Sequence, residues 1–476
     1  MAELLKPDIC VIGAGSGGLS VAAAAAAFGV SVALIEKGKM GGDCLNTGCV
    51  PSKALIAAAK RVADVNEAAA FGVMTQSPKI KFADVQRHVE NVIAAIAPND
   101  SKERFTALGV RIVAGAARFK NAGTVIVDDE DIEVQARRFV IATGSSPAIP
   151  PIDGLADVPY LTNETVFDLN ICPKHLIVIG AGPIGLELAQ AFCRLGAEVT
   201  VLEAASPLAN DDAECADVVL EQIARDGVTL RAGIEIKQIK RARGKVQVVV
   251  AGPTGEDTIE GSHLLLAAGR APNIDDLDLD AAGIKREPGG IVVNKRLKTT
   301  NRRVYAIGDA AGGPQFTHVA NYHAGLVVRN ALFRLPVKVS YDQMPFVTYT
   351  DPELAQVGLT EAEARRRRHA IRVLRWPFDE NDRAQAERET KGYIKVITTK
   401  RGRILGTTIV GAGAGELIAT WALAIAQRLN IRVFIGTVLP YPTLAEIGKR
   451  AGLTYFTASL TSPMLRRIIG LLRRLG

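Results

Sequence analysis

One short pattern occurs twice in this chain, and each occurrence dictates a backbone path. Asp8–Val11 reads as a buried strand, Gly13-Ala14-Gly15-Ser16-Gly17-Gly18 as a turn into a helix, and Ser31–Ile35 as a second strand ending in Glu36. The same order returns in His175–Ile179, Gly180-Ala181-Gly182-Pro183-Ile184-Gly185 and Glu198–Leu202, with Glu203 as the terminal acid. The first glycine of each turn allows a tight bend, the second admits a pyrophosphate to the backbone, and the third lets helix and strand pack. An anion then faces the helix N-terminus, where unpaired amides and the dipole favour negative charge. Glu36 and Glu203 stand where a carboxylate accepts hydrogen bonds from a ribose. Two such units imply two bound dinucleotides. At the second, a carboxylate welcomes a free ribose 2′-hydroxyl and repels a 2′-phosphate, and no arginine immediately follows it, so NADH is expected over NADPH.

At 476 residues the chain exceeds what one core accommodates and suggests roughly three domains. A net charge of +7 is modest and dispersed, which argues against nucleic-acid binding. Six cysteines do not make a secreted disulfide scaffold, so a reducing cytoplasm is expected. The N-terminus runs straight into a strand with no signal-like pattern, and no uncharged apolar run is long enough to span a bilayer.

The densest chemistry lies in Gly41-Gly42-Asp43-Cys44-Leu45-Asn46-Thr47-Gly48-Cys49-Val50-Pro51-Ser52-Lys53. Two thiols at this spacing can close a small ring if the local helix is distorted. So short a loop adds little stability, which points to a disulfide that is made and broken. Two buried reduced cysteines are the plainer alternative. No metal centre is expected, because no third or fourth Cys or His ligand lies at metal spacing nearby.

The run G-G-x-C-x-x-x-G-C-x-P-S-K resembles the redox segment of the flavin-dependent pyridine nucleotide–disulfide oxidoreductases, which include dihydrolipoamide dehydrogenase, glutathione reductase and mercuric reductase. Asp43 departs from the family's usual threonine and places a carboxylate beside Cys44, which should raise the energy of a thiolate there. Ala142-Thr143-Gly144-Ser145, Ala267–Asn273 and Val304-Tyr305-Ala306-Ile307-Gly308-Asp309 look like the family's crossovers and second flavin motif. The resemblance covers essentially residues 5 to 455. It implies an α/β fold with two Rossmann-like dinucleotide-binding domains, for FAD and NAD, and a C-terminal α+β dimerisation domain. The expected limits are 1–150 with 273–340 for FAD, 151–272 for the nicotinamide nucleotide, 341–460 for dimerisation, and 461–476 for a tail.

By the same correspondence, Cys49 is the flavin-proximal thiol and Cys44 the interchange thiol that meets substrate. Lys53 would reach the flavin ring, paired with Glu187. Gly13, Gly15, Gly18, Glu36, Lys37, Gly42, Asp43, Ala116, Thr143, Gly144, Gly308, Asp309 and Thr317 are the expected FAD contacts. Gly180, Gly182, Ile184, Gly185, Glu203 and Gly269 are the expected nicotinamide-nucleotide contacts. In such a site electrons pass from NADH through the flavin to the cysteine pair, and relatives build each site from two subunits, so a homodimer is expected.

Near the C-terminus the dithiol-handling relatives carry H-P-T-x-x-E, whose histidine is the acid/base to the interchange thiol. Here Tyr441-Pro442-Thr443-Leu444-Ala445-Glu446 keeps Glu446 and puts tyrosine in the histidine's place. A phenol with a pKa near 10 is a poor base at neutral pH. Tyrosine there is reminiscent of mercuric reductase, yet no cysteine follows Cys215 to deliver a metal ion. The leading expectation is a mercuric-reductase-like reductase of a disulfide or metal ion. Dihydrolipoamide dehydrogenase, a quinone reductase and a membrane-recruited redox partner are the alternatives. His318 and His323 are candidates for acceptor contact, with local structural bonding as the plainer reading. Arg365–Arg368 reads as a solvated basic helix face, and Trp376–Ala384 as a polar loop. In Pro463–Gly476, Arg466, Arg467, Arg473 and Arg474 share one helical face and Met464, Leu465, Ile468, Ile469, Leu472 and Leu475 the other. That pattern suits an anionic membrane surface, a partner, or packing on the protein itself.

Overall fold

The computed structural model describes residues 3–242, 244–253, 255–367, 370–457 and 463–475. Arg368 of the basic run, and residues 461, 462 and 476 of the tail, lie outside them. The described residues form two compact units, 1–204 with 230–340 and 205–229 with 341–476.

In the first unit, short apolar runs bounded by glycine turns form a five-stranded parallel sheet. Its order is Val304–Ala306, Arg138–Ile141, Ile9–Ile12, Val32–Glu36, Val110–Ala114. Side chains alternate between faces, so Cys10, Ile12, Ile35 and Phe139 enter one core and Ile9, Val11, Leu34 and Val140 another. Burial on both faces explains why the inner strands Ile9–Ile12 and Val32–Glu36 are apolar up to Ile12 and Ile35, whereas the edge strand Val110–Ala114 exposes Arg111. The first two strands begin one residue later than the sequence reading placed them, and the second ends in Glu36 as that reading has it. The Ala-rich helix Ser16–Ala27 packs closely: a Cβ on Gly17 would lie 3.1 Å from Ile307 Cδ1 and 3.2 Å from Ala320 Cβ of the helix Thr317–Ala331.

A second sheet orders Thr229–Ala232, Glu198–Glu203, His175–Ile179 and His263–Leu266, with the last three strands paired in parallel. An antiparallel meander, Glu235–Ala242, Lys245–Gly252 and Gly255–Gly261, is inserted in the chain between the strands Thr229–Ala232 and His263–Leu266 of that sheet.

The second unit is built on a five-stranded antiparallel sheet in the order Pro345–Thr348, Glu353–Gly358, Ile404–Gly411, Tyr393–Thr399, Ile371–Pro377. Trp421, on the helix Ala414–Ala426, stacks on Phe434 at 3.9 Å in its core. Lys395 is 3 % exposed, with Nζ 2.9 Å from Asp212 Oδ2, 2.9 Å from Glu214 Oε2 and 3.0 Å from Glu361 Oε2. Burial pushes the lysine pKa down, but the three carboxylates outweigh it and hold the group above its ordinary range. The segment read as a polar loop is instead the end of the strand Ile371–Pro377 followed by a short helix, Asp382–Glu387. Asn381 caps that helix by accepting from Ala384 N at 3.0 Å. Arg365 and Arg366 of the basic run end a helix, Glu361–Arg366, opened by a capping box between Thr360 and Glu363, and Arg367 caps it.

Candidate active site

The two glycine turns have nearly the same geometry. Gly13 and Gly180 have φ of +102° and +108°, and a Cβ on either would come within 2.4 Å of a carbonyl oxygen, Ala142 O or Ala267 O. A Cβ on Gly18 or Gly185 would lie 1.9 Å from the oxygen of Gly13 or Gly180. No side chain fits, so the helices Ser16–Ala27 and Pro183–Arg194 start directly against their turns. Glu36 accepts from Ala14 N at 2.5 Å, and Glu203 from Ala181 N at 2.8 Å. Each carboxylate is thus tied to the turn it faces across a strand end. Lys37, next to Glu36, is exposed, and Ile184 lies in the first turn of its helix.

The other expected flavin contacts gather at the C-terminal ends of the first sheet. Thr143 and Gly144 follow the strand Arg138–Ile141, Ala116 follows Val110–Ala114, and Gly308 and Asp309 follow Val304–Ala306. Thr143 Oγ1 is buried with no hydrogen-bond partner, and the glycine cradle beside it would be filled by any Cβ. An orphaned hydroxyl next to such a cradle is what a bound dinucleotide would satisfy, so these residues fit FAD. Asp309 accepts from Ser145 Oγ at 2.5 Å, and burial holds its carboxyl above the usual range. Gly269, at φ +111°, closes the return from the second sheet.

The cysteine segment docks on the first turn. Gly41 N donates to Ala14 O at 2.9 Å, and a Cβ on Gly42 would lie 2.7 Å from Gly15 Cα. Cys44 sits in the short helix Gly42–Asn46, and Cys49 begins the helix Cys49–Glu67 after a break at Thr47-Gly48. That break supplies the distortion the spacing requires, and it brings the Cys44 and Cys49 thiols near enough for a thiol–thiolate hydrogen bond to govern both titrations. The Cys44 thiol is pushed up, first by that bond and then by burial. The Cys49 thiol is pulled down by the same bond, with help from Thr317 and Lys53 against the cost of burial. Thr317 Oγ1 lies 3.3 Å from Cys49 Sγ, and Cys49 also holds the first position of its helix, which favours a thiolate.

Lys53 Nζ lies 2.7 Å from Glu187 Oε2, and Glu187 is buried in the helix Pro183–Arg194. Asp43 acts on the thiols in the expected direction, raising both, but only as a lesser influence. Its carboxylate is engaged: it accepts from Thr47 Oγ1 at 2.9 Å and Asn163 Nδ2 at 3.0 Å, and lies 3.3 Å from Arg270 Nη2. Arg270 also donates to Ser145 Oγ at 2.8 Å and Ser145 O at 2.7 Å. A polar chain therefore runs Asp43, Arg270, Ser145, Asp309. Ser145 and Arg270 fall within the two crossover motifs but were given no role of their own there, and no local pattern marks Asn163. A carboxylate replacing threonine was the available signal that a cation should lie near.

His323 is a buried core histidine. Its Nδ1 accepts from Gly308 N at 3.1 Å, and burial lowers its pKa to about 4, so it is neutral and steadies the Gly308-Asp309 turn. His318 stacks on Phe316 at 5.3 Å. Among the described residues no group of three or more His, Cys, Asp or Glu side chains is arranged to hold a metal ion.

In the second unit, Tyr441 is exposed and its hydroxyl donates to Asp382 Oδ2 at 2.5 Å. That bond, with the carboxylate's charge, raises the phenol pKa above its ordinary value. Asn381, the preceding residue, donates through Nδ2 to Thr443 O at 3.1 Å, so the N-terminus of one short helix grips the tyrosine segment twice. Glu446 begins the helix Glu446–Thr454. Asp382 is the residue that sequence reasoning left without a role.

Residues 7–324 match the family model described as pyridine nucleotide-disulphide oxidoreductase, and residues 344–451 match that family's dimerisation domain. The second match supports a homodimer. Mercuric reductase of Lysinibacillus sphaericus is 34% identical over 451 residues, covering 94% of this chain and 82% of that protein. Dihydrolipoyl dehydrogenase of Staphylococcus aureus is 34% identical over 453 residues, covering 94% of this chain and 96% of that protein. Among solved structures, LpdA of Mycobacterium tuberculosis superposes with a TM-score of 0.86 at 27% identity, covering 94% of this chain and 99% of that one. The Cu(II) complex of the HOCl-induced flavoprotein disulfide reductase RclA from Escherichia coli gives 0.85 at 27% identity, with coverage of 94% and 99%. The chain belongs to the pyridine nucleotide–disulphide oxidoreductases, enzymes that depend on FAD and NAD(P)H.

Proposed function

We propose that this protein is an NADH-dependent, FAD-containing reductase whose Cys44–Cys49 pair delivers electrons to a thiophilic metal ion. The observation that carries this reading is the 2.5 Å bond from the Tyr441 hydroxyl to Asp382. A phenol that donates to a carboxylate, with its pKa raised, does not act as a base near neutrality. Dithiol exchange needs such a base to ready the incoming or leaving thiol. A soft divalent ion held by two thiolates needs two electrons and no proton from Tyr441.

Bound FAD supplies the relay of electrons from the reduced nicotinamide to the cysteine pair. The chain's own residues prepare both ends of that relay. Cys49 is stabilised as a thiolate by the Cys44 thiol, Thr317 and the charge of Lys53, while Glu187 fixes that lysine one turn along the same helix. Cys44, whose thiol is held protonated in the resting reduced pair, is the group that meets the acceptor, and it releases that proton to solvent as it binds the metal ion as a thiolate. Arg270 offsets the Asp43 charge next to it. Glu203, bound to Ala181 N, presents its carboxylate to the second dinucleotide and disfavours a 2′-phosphate. By the family resemblance, in which each site is built from two subunits, Tyr441 of one subunit would serve the cysteine pair of the other.

The second reading, dihydrolipoamide dehydrogenase, is favoured by Glu446 at the start of its helix and by the 34% identity to such an enzyme. Steady-state NADH oxidation with Hg²⁺, Cu²⁺, lipoamide and a quinone separates the two. We expect turnover with a metal ion that is lost in Cys44→Ser, and slow lipoamide turnover that rises about 100-fold in Tyr441→His. Lipoamide turned over faster than either metal ion by the unaltered protein would sink the metal-ion reading. Equal rates in Cys44→Ser would sink the relay.

A further inference from the structure

The helix Pro463–Leu472 lies beyond both regions matched by the family models, the second of which ends at residue 451. Its backbone continues helically, with Arg473 N donating to Ile469 O at 2.9 Å and Leu475 N to Leu472 O at 3.0 Å. At about 100° per residue, Met464, Leu465, Ile468, Ile469, Leu471, Leu472 and Leu475 occupy one unbroken arc. Arg466, Arg467, Arg473, Arg474 and Gly470 occupy the rest, with arginine at both borders of the apolar arc. Ile468, Ile469, Leu471 and Leu472 are between 42 % and 62 % exposed, an apolar surface facing water.

We propose that this helix docks the enzyme peripherally on an anionic lipid bilayer. Charge selects the occupant: no Asp or Glu follows Glu446, so residues 447–476 carry Lys449, Arg450 and the four helix arginines uncompensated. A bilayer interface matches both halves of the pattern at once. The apolar arc enters the acyl boundary while bordering arginines reach back to the phosphates with their long stems. A protein groove would cover the apolar arc but leave the arginines without a common partner. Ten residues of helix span about 15 Å, too short to cross, and no described helix is long and apolar enough to do so. The helix therefore lies in the plane of the surface.

The test is flotation of the FAD-loaded full-length protein with vesicles of phosphatidylcholine alone or with about 30% phosphatidylglycerol. Three variants run beside it: deletion of 463–476, Ile468→Glu with Leu472→Glu, and Arg466→Gln with Arg467→Gln. Each arginine near an anionic surface contributes roughly fivefold to partitioning. The unaltered protein should float with the anionic vesicles and not with the neutral ones. The double glutamine variant should bind roughly 25-fold more weakly, and the other two should not bind. All three should keep the NADH oxidation rate and the oligomeric state of the unaltered protein. Failure of the unaltered protein to float, or binding that survives the deletion, overturns the proposal. Loss of the dimer in the Ile468→Glu/Leu472→Glu variant without vesicle binding by the parent assigns the helix to self-association and also overturns it.

Discussion

Replacing Cys44 with alanine in the reduced, FAD-loaded enzyme should raise the pKa of Cys49. Three neighbours hold the Cys49 sulfur as a thiolate: the Cys44 thiol, Thr317 Oγ1 at 3.3 Å, and the Lys53 charge one turn along the same helix. The Cys44 bond is the largest of these influences. A hydrogen bond to a charged acceptor contributes about 1.5–3 kcal/mol, and a thiol is a weak donor, so the low end applies. At 1.36 kcal/mol per unit, about 1.5 kcal/mol corresponds to roughly one pKa unit. Only the thiolate alkylates, so reactivity is present above the Cys49 pKa and lost as pH falls through it. The assay is the rate of iodoacetamide labelling at each cysteine, resolved by mass spectrometry across pH. In the parent, Cys49 should titrate well below Cys44; in Cys44→Ala its midpoint should move up by roughly one unit. Thr317→Val, which removes a lesser influence on the Cys49 thiolate, should move it by less. A Cys49 midpoint unmoved in Cys44→Ala, or Cys44 titrating first in the parent, would refute this assignment of the two thiols.

Two further variants probe sites away from the cysteines. Lys395→Met leaves the buried Asp212 facing Glu214 and Glu361 without their cation, and removing one partner of a buried pair costs about 3–5 kcal/mol. Thermal unfolding near pH 7 should show a Tm about ten degrees lower. Because Lys395 holds Glu214 below its ordinary range, that contribution is present above the range and lost as pH falls through the folded pKa; the parent and variant should therefore converge on acidification. Equal Tm values at pH 7 would contradict it. Glu203→Gln keeps an acceptor for Ala181 N and removes the charge, so kcat/KM for NADPH relative to NADH should rise by about tenfold, the effect of about 1.4 kcal/mol; an unchanged ratio would remove Glu203 from nucleotide selection.

Much of the site is written in short stretches of sequence because backbone conformation is a local property. Gly13 and Gly180 announce left-handed turns, and the carbonyls that forbid a Cβ at Gly18 and Gly185 lie only five residues back, at Gly13 and Gly180. The break between the two cysteine helices is likewise set by Thr47-Gly48 and the residues beside them. The faces of the tail helix follow from its periodicity alone. Side-chain pairings over long sequence distances are different. Lys53 and Glu187 are 134 residues apart, and family resemblance, not any pattern in this chain, brought them together. The partners of Asp43 arrive from residues 163 and 270. Lys395 reads as an ordinary strand lysine until three carboxylates from two distant segments close around it. The role of Tyr441 turned on Asp382, 59 residues earlier, in a stretch that reads as a loop. Local sterics and periodicity settle how each segment bends and which face it buries; which charge meets which across the molecule depends on where whole helices and sheets come to rest, and only the tertiary structure decides that.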